Sequence, residues 1–248
     1  MFRMLVFSLC LFMSLAGPAA AEEPAMTVLV TGANRGIGLE LARQLTEQGH
    51  QVIGTARKPA EASELKALGA KVMQLDVTDP ESVAALAADM DDQPIDLLIN
   101  NAGTGGQAPG SFEDTDFERV KLTFEVNSLG PMRVTQALLP NVLASVGKTV
   151  VHISSIMGSI ASNQGGYYGY RASKAALNMF NSSLALELAD RGVTAVVLHP
   201  GWVQTRMGGS GADISVDVSV AGLLKVISSL GPGQSGRFYD YQGRELPW

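Results

Sequence analysis

TVLVTGANRGIGLELARQLTEQG, residues 27–49, is the stretch that decides the fold. Thr27 to Val30 is a compact apolar run that breaks at Thr31 and Gly32. From Gly36 the pattern changes: Ile37, Leu41 and Leu45 recur four apart, and Gly49 closes the stripe. A short strand therefore feeds a glycine-rich turn and then an amphipathic helix. Gly32, Gly36 and Gly38 let the backbone turn sharply and approach a ligand closely. The helix start beyond them offers free N–H groups and a positive dipole end, which suit a pyrophosphate. The glycine spacing differs from the common G-x-G-x-x-G fingerprint. Its place between the first strand and the first helix carries the expectation of a dinucleotide site.

The same alternation continues down the chain. QVIGTAR (51–57) and KVMQLDVT (71–78) are the next two strands, with a short helix over 60–70 between them. PESVAALAADM (80–90) sets Val83, Leu86 and Met90 on one helical face, with Asp79 as N-cap and Pro80 at the first helical position. IDLLINNAG (95–103) is a fourth strand, apolar enough to be buried on both faces. A helix is expected over 116–144, then a strand at TVVHISS (149–155), a helix through 170–190 and a strand at TAVVLHPG (194–201). VSVAGLLKVISSL (218–230) is a further helix and GRFYDYQG (236–243) a last strand. Strands alternating with helices imply parallel pairing through crossovers. The predicted fold is a single α/β domain over 26–248. It is a doubly wound (Rossmann) parallel sheet of about seven strands with helices on both faces.

The N-terminus stands apart. Arg3 precedes an apolar run from Leu5 to Ala16, and small residues lead to Ala19 and Ala21. These three regions in order predict a signal peptide over 1–21 and an exported, periplasmic product, too short in its apolar run to span a bilayer. A cytoplasmic protein starting at Met26 is the alternative. The sole cysteine, Cys10, lies in this segment, so the remaining chain has no disulfide, zinc-thiolate site or cysteine nucleophile. The net charge of −6 argues against a nucleic-acid binder.

The end of the second strand selects the dinucleotide. An NAD site usually carries a carboxylate there to bond the ribose hydroxyls. Here the sequence reads GTARK, so Arg57, with Arg35 inside the glycine loop, predicts a grip on a 2′-phosphate and hence NADP(H) over NAD(H). Asp76 is a candidate acceptor for the adenine amino group, with Val77 beside it. Asn101, Ala102 and Gly103 follow the fourth strand, where backbone must lie close to the adenine ribose. Asn34 and Ile37 complete the expected loop contacts.

YYGYRASK, residues 167–174, holds the reacting centre. Of its three tyrosines only Tyr170 has a lysine, Lys174, one helical turn on. An ammonium beside a phenol favours phenolate and lowers its pKa, so Tyr170 can exchange a proton during carbonyl–alcohol interconversion. Tyr167 and Tyr168 are expected to line the cleft. Ser155, or Ser154, at the end of the fifth strand can hold the substrate oxygen. Ser154 should face the other side of the strand. Asn127 has poor mid-helix propensity, which points to another role.

TGANRGIG, NNAG, Asn127, ISS, YRASK and HPGWVQT occur in the order that resembles the short-chain dehydrogenases/reductases, over essentially all of Met26 to Trp248. GRFYDYQGRELPW and GGYYGYRASKAALN look like the C-factor-like branch. The resemblance implies that Tyr170 is the general acid/base, that Lys174 lowers its pKa and bonds the nicotinamide ribose, that Ser155 polarises the carbonyl and that Asn127 holds a relay water. It implies cofactor contacts from Pro200, Gly201, Val203 and Thr205, and assembly as a homodimer or homotetramer through the helices around 116–144 and 170–190. Ser155 lies two residues further from Tyr170 than the family's usual spacing, so its assignment rests on the strand end. The expected activity is that of an NADP(H)-dependent carbonyl reductase on a small-molecule carbonyl or alcohol. The alternative is a non-catalytic or signalling protein of C-factor type. His50, His152 and His199 show no metal-ligand spacing, and the last two should be packed or hydrogen-bonded within strands. No G-x-S-x-G elbow supports a hydrolase. The short run RMGGSGADIS after Thr205 predicts an open site.

Overall fold

Strand β1 (Thr27–Val30) lies inside a seven-stranded sheet, flanked by β2 (Gln51–Ala56) on one side and β4 (Leu97–Asn100) on the other. The computed structural model describes residues 24–106 and 111–248. The expected export segment 1–21 and residues 107–110 after β4 lie outside them. With β3 (Lys71–Gln74), β5 (Thr149–Ile153), β6 (Thr194–His199) and β7 (Phe238–Asp240), the order is β3-β2-β1-β4-β5-β6-β7, every pair parallel. The chain winds outward from β1 to β3 and then crosses back to β4. That reversal opens a crevice beyond the carboxyl ends of β1 and β4, where ligands bind in such sheets.

Alternating side chains send each strand into two cores. On one face Val28, Val30, Ile99 and Val196 meet α1 (Gly36–Glu47), α2 (Ser63–Ala67) and α7 (Val216–Ser228), through Leu41, Leu45, Leu65 and Leu223. On the other, Leu29, Leu98, Val150 and Ala195 meet α3 (Pro80–Met90), α5 (Gly130–Ala144) and α6 (Tyr168–Leu188), through Leu86, Val134, Leu138 and Leu188. Full burial of each Val, Leu or Ile among them contributes about 1.5–3 kcal/mol. Asp79 caps α3 as expected, accepting from the Glu81 amide at 3.0 Å.

The single helix expected over 116–144 is interrupted. α4 (Phe117–Phe124) is followed by a π turn at Glu125–Leu129 before α5 begins. Pro131 has no N–H to give the carbonyl of Asn127, four residues back. The Gly130 amide instead reaches the Glu125 carbonyl, five residues back. At the other end of the chain the tail folds antiparallel onto β7, with Asp240 N–H donating to Arg244 O at 2.9 Å and Leu246 N–H to Phe238 O at 2.8 Å. Trp248 then stacks on Phe238 at 5.5 Å.

Candidate active site

The turn from β1 into α1 is built for close backbone approach. Gly32 has φ +64°, and a Cβ there would meet Ala102 Cα at 3.1 Å. At Gly38 a Cβ would run into the Gly32 carbonyl and lie 2.5 Å from Asn101 Nδ2. Asn101 ties the crevice together: its Nδ2 donates to Thr31 O at 2.9 Å and Gly32 O at 3.3 Å. The Thr31 hydroxyl in turn accepts from the amides of Asn101 and Ala102, both at 3.0 Å. Arg35 is the N-cap of α1 in extended conformation, its side chain does not cap, and the first turn holds no carboxylate. The amides there remain available to an anion. Asn34 sits partly exposed in the turn, while Ile37 packs against the core.

The cations gather at one side of this cradle. Arg35, Arg57 and Arg206 are all exposed, and among the described residues none of them is in an ion pair. Partial burial, then the charges of Arg206 and Arg57, press the Arg35 pKa below the ordinary arginine value. Burial would raise the Asp76 carboxyl. Its bonds from the Thr78 hydroxyl (2.7 Å) and amide (3.0 Å) and the charge of Arg57 outweigh that, and the net direction is down. Val77 is buried, and a Cβ on Gly130 would touch its Cγ2 at 2.8 Å, so its side chain serves the α5 packing.

The reacting centre converges from β5, α6 and the π turn. The Ser155 hydroxyl lies close enough to the Tyr170 phenol to favour its ionised form. The Ser155 hydroxyl also accepts from the Met157 amide at 3.1 Å, which caps a short 3₁₀ turn and fixes its rotamer. The Ser154 hydroxyl is engaged elsewhere on α6, donating to Asn178 Oδ1 at 2.7 Å. Lys174 is buried, donates to Ile153 O at 2.9 Å and stands 6.0 Å from the centroid of the Tyr170 ring. Burial lowers its pKa to about 8. Burial raises the Tyr170 phenol, and the neighbouring Ser155 hydroxyl opposes the rise. The net direction is up, contrary to the lowering expected from Lys174, because desolvation of the ring outweighs the serine's effect. Gly103 separates Lys174 from Asn127: a Cβ on it would lie 3.9 Å from Lys174 Nζ and 3.4 Å from Asn127 Oδ1.

Asn127 is fully buried, and its amide clamps the loop after β4. Oδ1 accepts from Thr104 N at 2.8 Å, while Nδ2 donates to Thr104 O at 2.9 Å and Ser173 Oγ at 3.1 Å. Both amide protons are thus committed, and one lone pair on Oδ1 is left. Tyr167 enters α6 with φ +48°, and the Tyr168 ring meets Phe112 edge-on at 5.4 Å.

The loop after β6 completes the arc. Pro200 O accepts from Ser219 Oγ at 2.6 Å, and Gly201 turns with φ +85°. Val203 bridges to Ile214, and the Thr205 hydroxyl accepts from Gly208 N at 3.1 Å. A Cβ on Gly36 would lie 3.6 Å from Thr205 Cγ2, so this loop rests on the glycine turn. Arg206, Thr31 and Asn178 escaped the sequence reading. For Arg206 the available signal was its place directly after Thr205.

The histidines stand outside this site. His152 is packed edge-on to Phe180 at 5.6 Å, but neither ring nitrogen has a hydrogen-bond partner among the described residues. Packing, not bonding, therefore holds it. Burial, then the charge of Lys174, pushes its pKa down to about 3, and burial takes His199 down to about 4. Among the described residues no cluster of His, Cys, Asp and Glu is placed to hold a metal ion, and no helix is long and apolar enough to cross a membrane.

Fold and crevice define a dinucleotide-binding oxidoreductase architecture. Residues 26–213 match the short chain dehydrogenase family, and the chain belongs to it. It is 48% identical over 165 residues to the C-signal of Myxococcus xanthus, covering 66% of this chain and 99% of that protein. Among solved structures it is similar to the carbonyl reductase Sniffer of D. melanogaster (TM-score 0.86, 32% identity, 91% of this chain, 100% of that one). It is also similar to an NADPH-bound carbonyl reductase from chicken fatty liver (TM-score 0.83, 35% identity, 90% and 99%).

Proposed function

We propose that the chain is an NADP(H)-dependent carbonyl reductase in which Tyr170, Ser155, Lys174 and Asn127 form the proton system. The observation that carries this reading is buried Lys174, held by Ile153 O at 2.9 Å and 6.0 Å from the centroid of the Tyr170 ring, with the Ser155 hydroxyl beside the same phenol. A nicotinamide dinucleotide, when bound, would supply or accept the hydride. The residues present fit one: the glycine turn has no room for a Cβ at Gly38 and is tight at Gly32, and the uncapped start of α1 offers amides to its diphosphate.

Ser155 and Tyr170 hold one oxygen between two hydroxyls, and Tyr170 delivers or removes the proton there. Lys174, anchored by the Ile153 carbonyl, keeps a positive charge beside the phenol at pH values below about 8. Asn127 sets the loop after β4 through Thr104. Its backbone carbonyl, deprived by Pro131 of an α-helical donor, is the natural holder of a relay water. Arg57 and Arg35 favour the 2′-phosphate of NADP(H), since no carboxylate ends β2 to bond a bare ribose.

The test is NADPH oxidation by purified protein across a panel of aldehydes and ketones, with Tyr170→Phe as control. Turnover in the parent and its loss in a folded Tyr170→Phe variant are expected. Undiminished turnover in that variant would falsify the mechanism. The likeness to the C-signal favours a second reading, a signalling protein that keeps the fold. That reading expects dinucleotide binding without turnover.

A further inference from the structure

The loop after β6 presents Arg206 to the phosphate cradle. Thr205 Cγ2 lies 3.6 Å from where a Cβ on Gly36 would stand. Arg35 immediately precedes Gly36 and Arg206 immediately follows Thr205, so this one contact brings the two arginines to the same rim. Their nearness is felt electrostatically: the charge of Arg206 acts on Arg35 ahead of that of Arg57. Like charges so placed repel unless an anion joins them, and among the described residues no carboxylate pairs with any of the three. The charge of Arg57 acts on the Asp76 carboxylate, which is itself engaged by Thr78.

The loop is also held in shape. Gln204 N–H donates to Ile214 O at 2.8 Å, Ile214 N–H to Trp202 O at 3.2 Å and Gly209 N–H to Thr205 O at 2.8 Å. Trp202 Nε1 donates to Gly208 O at 2.9 Å, and Gln204 Nε2 to Ala212 O at 3.1 Å. Arg206 is therefore delivered from a fixed platform, which reduces the entropy lost when its side chain engages a ligand.

We infer that Arg206 is a third cofactor-binding arginine, which closes over the diphosphate of the dinucleotide beside the start of α1. It works on the diphosphate because its loop rests on Gly36, at the helix start, whereas Arg57 at the end of β2 faces the adenosine end. This division of labour rests on the dinucleotide reading above. Arg206 thereby contributes affinity for NADPH and NADH alike, and Arg57 contributes the choice between them.

The experiment measures dissociation constants of NADPH, NADH and adenosine 2′-phosphate for the parent, Arg206→Gln and Arg57→Gln. Arg206 is exposed, so an unchanged melting temperature should accompany its replacement. Arg206→Gln is expected to weaken NADPH and NADH about equally, roughly tenfold, and to spare adenosine 2′-phosphate, which has no 5′-phosphate. Arg57→Gln should weaken NADPH and adenosine 2′-phosphate and spare NADH. An Arg206→Gln protein that keeps both dinucleotide affinities within about twofold overturns the inference, and so does one that loses NADPH alone. A parent protein that binds neither dinucleotide overturns the cofactor reading itself, a result distinct from either.

Discussion

The Ser155 hydroxyl stands beside the Tyr170 phenol although Tyr170 lies fifteen positions further along the chain. The 3₁₀ turn at Ile156–Gly158 and the exposed run beyond it span the interval between them. Ala161 N–H donates to Trp248 O at 3.0 Å, so the tail tethers that outward run. Ser155→Ala should lower kcat by about 100-fold. Because the Ser155 hydroxyl lowers the phenol's pKa, its loss should also shift the Tyr170 limb of the kcat/KM profile to higher pH. A profile that keeps its position while kcat falls would assign Ser155 to substrate binding only.

Lys174 couples folding to alkaline pH. Its pKa in the folded chain is about 8, against 10.5 for an ordinary lysine. Between those values the unfolded chain holds the extra proton, so the penalty for charging the buried amine is full below pH 8 and fades as pH rises. The stability of the cofactor-free parent, measured relative to Lys174→Met, should climb by up to about 3 kcal/mol from pH 8 to 10.5. Urea denaturation at several pH values measures this. A flat difference would mean the amine is solvated.

The buried imidazoles act at the other end of the scale. His152 and His199 titrate near 3 and 4 when folded and near 6.5 when unfolded. The unfolded chain binds more protons in that window, so stability is present above pH 6.5 and declines as pH falls toward 4. His152→Leu removes two unpartnered ring nitrogens as well as a titration. It should raise the melting temperature at pH 5 more than at pH 8, and an equal gain at both would leave packing as the sole cause.

Asn127→Ala should cost about 1–3 kcal/mol, because it strips the Thr104 amide of its acceptor in a partly buried setting. The loop after β4 should loosen with it. Hydrogen exchange at the Thr104 amide is the direct readout, and unchanged protection there would rule out the clamp.

The repeated strand–helix rhythm was legible because burial on both faces imposes its own periodicity on the residues, as in Val28 to Val30 and in Ile37, Leu41 and Leu45. Tyr170 was legible because its partner lies one turn away on the same helix. Other features depend on folding that brings distant segments together. Arg206 meets Arg35 only through the packing of one loop on another. The break of 116–144 into two helices turns on Pro131 and on Gly130 pressed against Val77. The spacing of Lys174 pointed to a lowered phenol pKa, yet spacing carries no measure of how deeply that phenol is desolvated.

The fold-back of the tail along β7 leaves the sheet with one free border among the described residues, that of β3. A foreign strand seeking to extend the sheet finds its ladder there alone. It meets only four residues, the first an exposed lysine, Lys71, with exposed Gln74 at the far end. A short, charged border gives poor register to any newcomer. Strand-wise self-association is therefore discouraged at one side by occupancy and at the other by brevity.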